Sequence, residues 1–203
     1  MAATRMTAAM VKSALETTAA KIKPKDANSF RKGDAVVYPT HGIGRIDRVG
    51  FEEIDGYRLH LIHISFEDTQ MTLRVPVAQA RATGLRKLAS RTALAAALTT
   101  LKGRPRVSRL VWAKRSQEYL AKINTSNLDA LAEVVRDLQS VGDGSESSFS
   151  QRNLFELALD RLAGEFAAVN RIAKPNAVAL LNQTLVDART QGVIDRQRQN
   201  SGV

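Results

Sequence analysis

The stretch Asp55-Gly56-Tyr57-Arg-Leu-His-Leu-Ile-His-Ile-Ser65 decides how the first part of the chain folds. Asp-Gly is a preferred pair for a two-residue type I′ turn, because both central residues of that turn need a positive φ. The residues that follow are rich in β-branched and apolar side chains with a period of two, which is typical of a strand. Gly44-Arg-Ile-Asp-Arg-Val49 precedes the turn and has the same character. The two segments therefore predict a β-hairpin.

Two further strands are predicted on either side of this hairpin. Asp34-Ala-Val-Val-Tyr38 predicts a strand that ends at the turn Pro39-Thr-His-Gly42, and Met71-Thr-Leu-Arg-Val75 predicts the last long strand. Alternation along that last strand places Arg74 on the face opposite its apolar neighbours, so its side chain is expected to point outward. Several antiparallel strands in so short a segment predict a small, strongly bent sheet or open barrel.

After Pro76 the apolar residues recur with helical spacing, and about five helices are predicted. The first ends at Gly103 and Pro105, and the second runs from about Arg106 to Ile123. Capping boxes predict the starts of the third and fourth helices, and a proline in the tolerated first turn predicts the start of the fifth. These three signals are Ser126-Asn-Leu-Asp129, Ser148-Phe-Ser-Gln151 and Lys174-Pro175.

The chain is thus expected to have an α+β fold with two domains, a small bent β domain followed by a compact all-α bundle. The β domain is predicted at 29–82 and the bundle at 83–191. Residues 1–28 mix Ala, Thr and Lys around an interrupting proline, so they are expected to form a flexible basic arm. Residues 192–203 are expected to form a flexible tail.

The basic residues are concentrated in one window of the sequence. Ten of the 30 Lys and Arg lie between 81 and 115, where there is no Asp or Glu, so this window carries a charge of +10. That equals the net charge of the chain, because the other 20 basic residues balance 20 acidic ones. A local basic field is typical of a phosphate-binding surface, although an anionic membrane surface or an acidic protein would also fit.

Several classes of protein are excluded or disfavoured by composition. No apolar run approaches the roughly 20 residues needed to cross a bilayer, and 1–22 lacks the apolar core of a secretory signal. The chain has no cysteine, which rules out disulfides and thiolate metal sites. His41, His60 and His63 are too scattered for a metal site, and no nucleophile elbow or paired carboxylate motif is present. We therefore expect a cytoplasmic protein with no catalytic residues, metal or cofactor.

The one tryptophan, Trp112, lies within Arg104-Pro-Arg-Val-Ser-Arg-Leu-Val-Trp-Ala-Lys-Arg115. On a helical wheel it lies about 200° from Leu110, opposite a broad apolar face. That face carries Val107, Leu110, Ala113, Leu120 and Ala121. One interpretation is a second buried stripe of Trp112, Tyr119 and Ile123, since tryptophan is usually well buried. The other is an exposed aromatic among cations, which is typical of a nucleic-acid stacking platform or a minor-groove wedge.

Six motifs, in a fixed order between 30 and about 190, resemble those of the bacterial CarD/CdnL transcription regulators. They are Phe30-Arg-Lys-Gly-Asp-Ala-Val-Val-Tyr-Pro-Thr-His-Gly42, Met71-Thr-Leu-Arg-Val-Pro76, Leu101-Lys-Gly-Arg-Pro-Arg106, Val111-Trp-Ala-Lys-Arg115, Ala132-Glu-Val-Val-Arg-Asp-Leu138 and Ala158-Leu-Asp-Arg-Leu-Ala163. The resemblance implies a Tudor-like domain that binds the RNA polymerase β subunit and a helical domain that contacts promoter DNA.

The resemblance also implies roles for particular residues. Arg74, with Thr72, Val75 and Pro76, would contact the polymerase. Trp112 would be exposed and would wedge into the minor groove at the upstream edge of the transcription bubble. It would stabilise the open complex formed with the housekeeping sigma factor. The accompanying DNA contacts would be Arg115, Lys114, Arg109, Arg106, Arg104 and Lys102.

Two positions depart from the family pattern. Ala113 replaces the usual serine after the tryptophan, so the hydrogen bond of that hydroxyl is absent. Glu52 and Glu53 stand late in the second strand, where some relatives carry a further polymerase-contacting arginine.

The expected protein is a monomeric, nucleoid-associated regulator without catalytic activity. Three alternatives remain: an architectural DNA-binding protein without a polymerase partner, an interaction module of the transcription-repair coupling type, and a small hydrolase. The second alternative is disfavoured because no P-loop follows, and the third because no catalytic cluster is visible.

Overall fold

The computed structural model describes residues 30–106, 110–125, 127–139 and 149–200, and only the backbone of 193 and 195–200. Five strands precede five α-helices, which confirms the predicted α+β fold. The strands are β1 (Ala35–Tyr38), β2 (Gly42–Ile54), β3 (Tyr57–Phe66), β4 (Met71–Pro76) and β5 (Arg86–Lys87). The helices are α1 (Arg91–Leu101), α2 (Trp112–Ile123), α3 (Leu128–Leu138), α4 (Phe149–Asn170) and α5 (Lys174–Asn200).

The described residues divide into two compact units. The β unit contains 30–35 and 44–83, and the helical unit contains 36–43 and 84–200. The sequence assigned 36–43 to the first domain, and that assignment differs from the structure. The reason is local, because β1 pairs with β5 of the helical unit, with Val36 opposite Lys87 and Val37 opposite Arg86.

The β unit is built around the predicted hairpin. Asp55 and Gly56 have φ values of 50° and 77°, as a type I′ turn requires, and Ile54 pairs with Tyr57 across it. β3 also pairs antiparallel with β4. Along β3, Ile62, Ile64 and Phe66 are buried, while the residues between them keep part of their exposure. From Ile62 onward the burial of this strand therefore follows the period of two in the sequence, whereas Leu61 on the other face is also buried.

The helical unit has a core formed by all five helices. Helix α3 is the central element, since it packs against α1, α2 and α4, and α4 in turn packs against α5. All five apolar positions of its predicted stripe are buried: Leu128, Leu131, Val134, Val135 and Leu138. None of the helices within the described ranges is both long enough and apolar enough to cross a bilayer.

The second helix starts later than predicted, and its buried face is the stripe with Tyr119 and Ile123 that one of the two sequence interpretations gave. Helix α2 begins at Trp112 and not near Arg106, because Val111 is extended with ψ of 151°. Tyr119 and Ile123 are buried, whereas Leu110 and Leu120 are each 41% exposed. Ala113 and Ala121 are also exposed, and Val107 lies outside the described residues. Packing against α3 and α4 selected the face with the larger aromatic and β-branched side chains.

Helix ends differ from the predictions in two places. Asn127 caps α3 by accepting a 2.9 Å hydrogen bond from the Asp129 amide, and the predicted capping residues Ser126 and Ser148 lie outside the described residues. Helix α5 continues to Asn200, so most of the predicted tail at 192–203 is helical. No proline interrupts this segment, and its single Gly192 is tolerated within a helix. The predicted arm at 1–28 lies outside the described residues.

A group of buried charges, which we call the Glu165 anchor, fixes β5 on α4. Arg86 donates two hydrogen bonds to the Glu165 carboxylate, at 2.6 and 2.8 Å. The amide of Ala89 donates a third, at 2.8 Å. Glu165 is only 1% exposed, so its charge depends on these three donors.

Arg161, one turn before Glu165 on α4, fixes the turn after β1. Its guanidinium donates to the carbonyl oxygens of Pro39, Thr40 and Ile123. Burial lowers the pKa of Arg161 from its ordinary value. The side chain thus joins the β1 turn to the end of α2.

Candidate functional site

Trp112 is the first residue of α2 and is half-buried. One part of its side chain packs against the helical core. Its indole Nε1–H donates a 2.9 Å hydrogen bond to Oγ of Ser150, the second residue of α4. The structure therefore combines the two sequence interpretations, because the indole both joins the stripe with Tyr119 and keeps an accessible surface.

Two side chains of α2 lie against the indole. The Arg115 guanidinium carbon is 5.5 Å from the centre of the ring, within the range of a cation–π contact. The Tyr119 ring lies on another side, with centroids 6.4 Å apart and planes tilted by 48°. Burial, followed by the charge of Asp137, raises the pKa of Tyr119, so this ring stays neutral at physiological pH. The predicted Trp112 and Arg115 pair is thus brought together, with Tyr119 as its support.

The segment before α2 is held by the end of α3. The Arg106 amide donates a 2.9 Å hydrogen bond to Asp137, and Nε of Arg136 donates a 2.8 Å bond to the same oxygen. Gly103 lies at a close approach here, because a Cβ would meet the carbonyl oxygen of Thr100 at 3.1 Å. The backbone of this segment is therefore fixed, while the Arg106 side chain remains exposed.

The basic window divides into exposed and internally used cations. The exposed members among the predicted DNA contacts are Lys102, Arg104, Arg106 and Lys114. Arg115 is half-buried beside the indole, and Arg109 lies outside the described residues. Arg86 belongs to the same window, but its charge is neutralised by Glu165. The charge available to a polyanion is consequently smaller than the sequence window suggests.

The amino end of α2 adds to this positive field. Val111 precedes the helix and provides no side-chain cap, and the first turn contains no acidic residue. The first-turn amides of a helix lack intrahelical partners and form the positive end of its dipole. Trp112 therefore lies at a helix end that favours anions.

Arg74 of β4 is exposed as predicted, with 61% of its side chain accessible. Arg74 pairs with His63 of β3, and His63 pairs with Arg48 of β2. The side chains of these three residues therefore form a row across the sheet. Glu52 lies beside this row. Its carboxylate is 3.8 Å from a guanidinium nitrogen of Arg74 and 3.1 Å from Nε2 of His63, and it also pairs with Arg48. Glu52 therefore acts as a counter-ion of Arg74.

The other predicted residues of β4 are placed differently. Thr72 is exposed and Pro76 is half-buried. Val75 is 3% exposed, so only its backbone, and not its side chain, is placed to contact a partner. The alternation of the strand accounts for this result, since Val75 points to the side opposite Arg74. Within the described residues β4 pairs only with β3, which leaves its other edge available for backbone pairing.

Several residues that shape these sites were not found from the sequence. Ser150 is 38 positions from Trp112, and Asp137 is 31 positions from Arg106. No local pattern links such pairs. The signal that existed for Asp137 was its place within the motif Ala132-Glu-Val-Val-Arg-Asp-Leu138, and Ser150 was visible only as part of a capping box.

Comparison with known proteins gives matches over both parts of the chain. The model for the CarD-like/TRCF RID domain matches residues 30–89, and the model for the CarD C-terminal domain matches residues 96–182. YdeB of Bacillus subtilis (strain 168), a candidate transcription factor, is 25% identical over 145 residues, covering 71% of this chain and 95% of YdeB. A solution structure of the 72-residue N-terminal domain of Myxococcus xanthus CarD is 32% identical. That match covers 35% of this chain and 97% of the domain, with a TM-score of 0.26.

The two domain models follow one another in the same order as the strands and helices described above, and together they span most of the chain. A protein with this pair of domains is a transcription regulator. The chain belongs to the CarD/CdnL family.

Proposed function

We propose that the protein is an adaptor that binds the RNA polymerase β subunit through its β unit and promoter DNA through its helical unit. The DNA contact lies at the upstream edge of the transcription bubble, where Trp112 acts as a wedge and stabilises the open complex. The observation that carries this proposal is Trp112 itself. It is a half-exposed aromatic at the positive end of α2, close in sequence to the exposed cations Arg104, Arg106 and Lys114.

The proposed DNA contact uses two kinds of side chain around α2, the exposed cations and the uncharged indole of Trp112. Exposed cations such as Arg104 and Arg106 attract phosphates without reading the sequence of the bases. The uncharged indole can instead insert between base steps, where unstacking costs a few kcal/mol per step. Because the edge of the bubble is already unstacked, the indole binds there at a lower cost than in closed duplex.

The proposed polymerase contact uses Arg74, which is exposed on the β unit. Arg74 presents a planar guanidinium, which suits a carboxylate on an acidic protein surface. The edge of β4 adds backbone groups that can pair with a strand of the partner. Thr72 lies on the same face as Arg74 and would line this contact.

The two contacts act on different quantities. Polymerase binding brings the helical unit to the promoter, whereas the wedge changes the balance between closed and open complexes. A preference of about 1.4 kcal/mol for the open complex shifts that balance about tenfold. The protein then acts as a monomer with the housekeeping holoenzyme, in the cytoplasm at the nucleoid, and contributes no catalysis.

The polymerase contact is tested by charge reversal at Arg74. We expect Arg74→Glu to abolish co-purification with polymerase, because two neighbouring carboxylates would then repel an acidic partner. Arg58→Glu is the matched control, since Arg58 lies on the opposite face of β3, over the ring of Phe51.

Full retention of polymerase by Arg74→Glu would contradict the assignment. If the unmodified chain binds DNA but never co-purifies with polymerase, the protein is an architectural DNA-binding protein instead.

A further inference from the structure

We infer that Ser150 is a positioning residue for Trp112, holding the indole in the orientation in which it meets DNA. The inference rests on the proposed wedge function of Trp112. Its structural basis is the 2.9 Å hydrogen bond from the indole Nε1–H to the Ser150 hydroxyl oxygen.

The indole has one polar group, its N–H, which can only donate. Ser150 takes that hydrogen bond, and it comes from a different helix from Trp112. Rotation of the indole about its own side-chain bonds would break this contact. Because Trp112 is only half-buried, its ring could adopt more than one orientation. The hydrogen bond to the Ser150 hydroxyl favours one of them.

Two other side chains contact the indole, but neither of them fixes its orientation as a hydrogen bond does. Tyr119 supports the ring and Arg115 lies over it, but both contacts are non-directional compared with a hydrogen bond. Moreover, Arg115 Nε is buried and has no hydrogen-bond partner among the described residues, so none of them fixes this guanidinium through that atom. Ser150 is the directional contact of the three.

Positioning has a consequence for binding. A side chain that is ordered before it meets its partner loses less conformational entropy on binding, and its affinity is higher for that reason.

The test uses the full chain and the fluorescence of Trp112, which is the only tryptophan in the sequence. We compare Ser150→Ala with Ser150→Thr, which keeps a hydroxyl. Ser116→Ala is the matched control, because Ser116 lies one turn along α2 and its hydroxyl bonds to Ala113. Alanine at 150 is compatible with the first turn of a helix, so the variant is expected to fold.

In the free protein we expect Ser150→Ala to increase acrylamide quenching of the tryptophan. With polymerase and promoter DNA we expect it to shorten the open-complex lifetime about fivefold, the effect of one net hydrogen bond. Ser150→Thr restores both values, and Ser116→Ala changes neither.

Two results would overturn the inference. Unchanged quenching in Ser150→Ala would mean that the hydroxyl does not hold the indole. Increased quenching with an equal or longer lifetime would mean that the bond restrains the wedge or is irrelevant to it. Failure of the wedge function itself is distinguishable, because Trp112→Ala would then leave the lifetime unchanged while the quenching difference in Ser150→Ala persisted.

Discussion

The Glu165 anchor and the segment before Trp112 use cations from the same basic window in opposite ways. In the anchor, Arg86 meets a carboxylate that is 1% exposed, and its charge serves to hold β5 on α4. Before Trp112, Asp137 binds the backbone of Arg106 and leaves the side chain exposed. The difference shows that the fold decides which cations of a charge run stay exposed, since Arg86 is used internally while Arg106 remains at the surface of the described residues.

The largest expected effect is at the anchor. Glu165→Ala removes the partner of a partly buried guanidinium and of the Ala89 amide, and we expect it to lower the free energy of unfolding by about 3 kcal/mol. Chemical denaturation measures this loss. Glu156→Ala, an exposed glutamate on the same helix, is the matched control. If the two variants were equally stable, the charges at Glu165 would not have the structural role that distinguishes the anchor from the segment before Trp112.

A different outcome is expected for the exposed cations. Replacement of Arg104, Arg106 and Lys114 by glutamine should change the unfolding free energy by less than about 0.5 kcal/mol, since these are surface positions. The slope of log K against log salt for DNA binding should flatten by up to about 0.9 per lost phosphate contact. Arg91→Gln tests whether any cation of the window gives the same change. If Arg91→Gln flattened the salt dependence of DNA binding as much as each of the other replacements, the DNA contact would not be specific to Arg104, Arg106 and Lys114.

The smallest expected change in stability is at the Lys122–Glu133 ion pair, which lies outside both the Glu165 anchor and the segment before Trp112. Lys122 donates a 2.7 Å hydrogen bond to Glu133, and this bond is the main cause that lowers the pKa of the Glu133 carboxyl. Because the folded pKa is lowered, the stabilisation is complete above the ordinary glutamate pKa of about 4.3 and is lost as pH falls through the folded value. Both side chains are 39% accessible and so partly screened by water, and we expect only about 0.5 kcal/mol.

Urea denaturation of Glu133→Gln and the unmodified protein as a function of pH tests this sign. The difference should be present at neutral pH and disappear in acid. A difference that grows as pH falls would contradict the direction of the shift.

The fold was predictable where local chemistry determines it. Asp55-Gly56 allowed a turn with two positive φ values, and the stripe of α3 was apolar on one side only. The buried face of α2 was not predictable, because this helix carries apolar residues on both sides. The choice between Leu120 and Tyr119 depends on the surfaces of α3 and α4, which a single helical wheel does not contain.

The candidate sites were predictable only in part, for a related reason. Arg74 could be placed from strand alternation, and Trp112 was conspicuous by composition. Ser150, Asp137 and Glu165 were missed because their partners lie 31 to 79 positions away in the sequence. A tertiary hydrogen bond over such a distance leaves no periodic signal.

The most direct test of the proposed function is the lifetime of the open promoter complex with purified polymerase, measured with no protein, with the unmodified protein and with Trp112→Ala. We predict that the unmodified protein lengthens the lifetime about tenfold, the effect of about 1.4 kcal/mol. Trp112→Ala should fold, co-purify with polymerase through Arg74, and lose most of this effect. An equal lifetime with Trp112→Ala and with the unmodified protein would contradict the wedge.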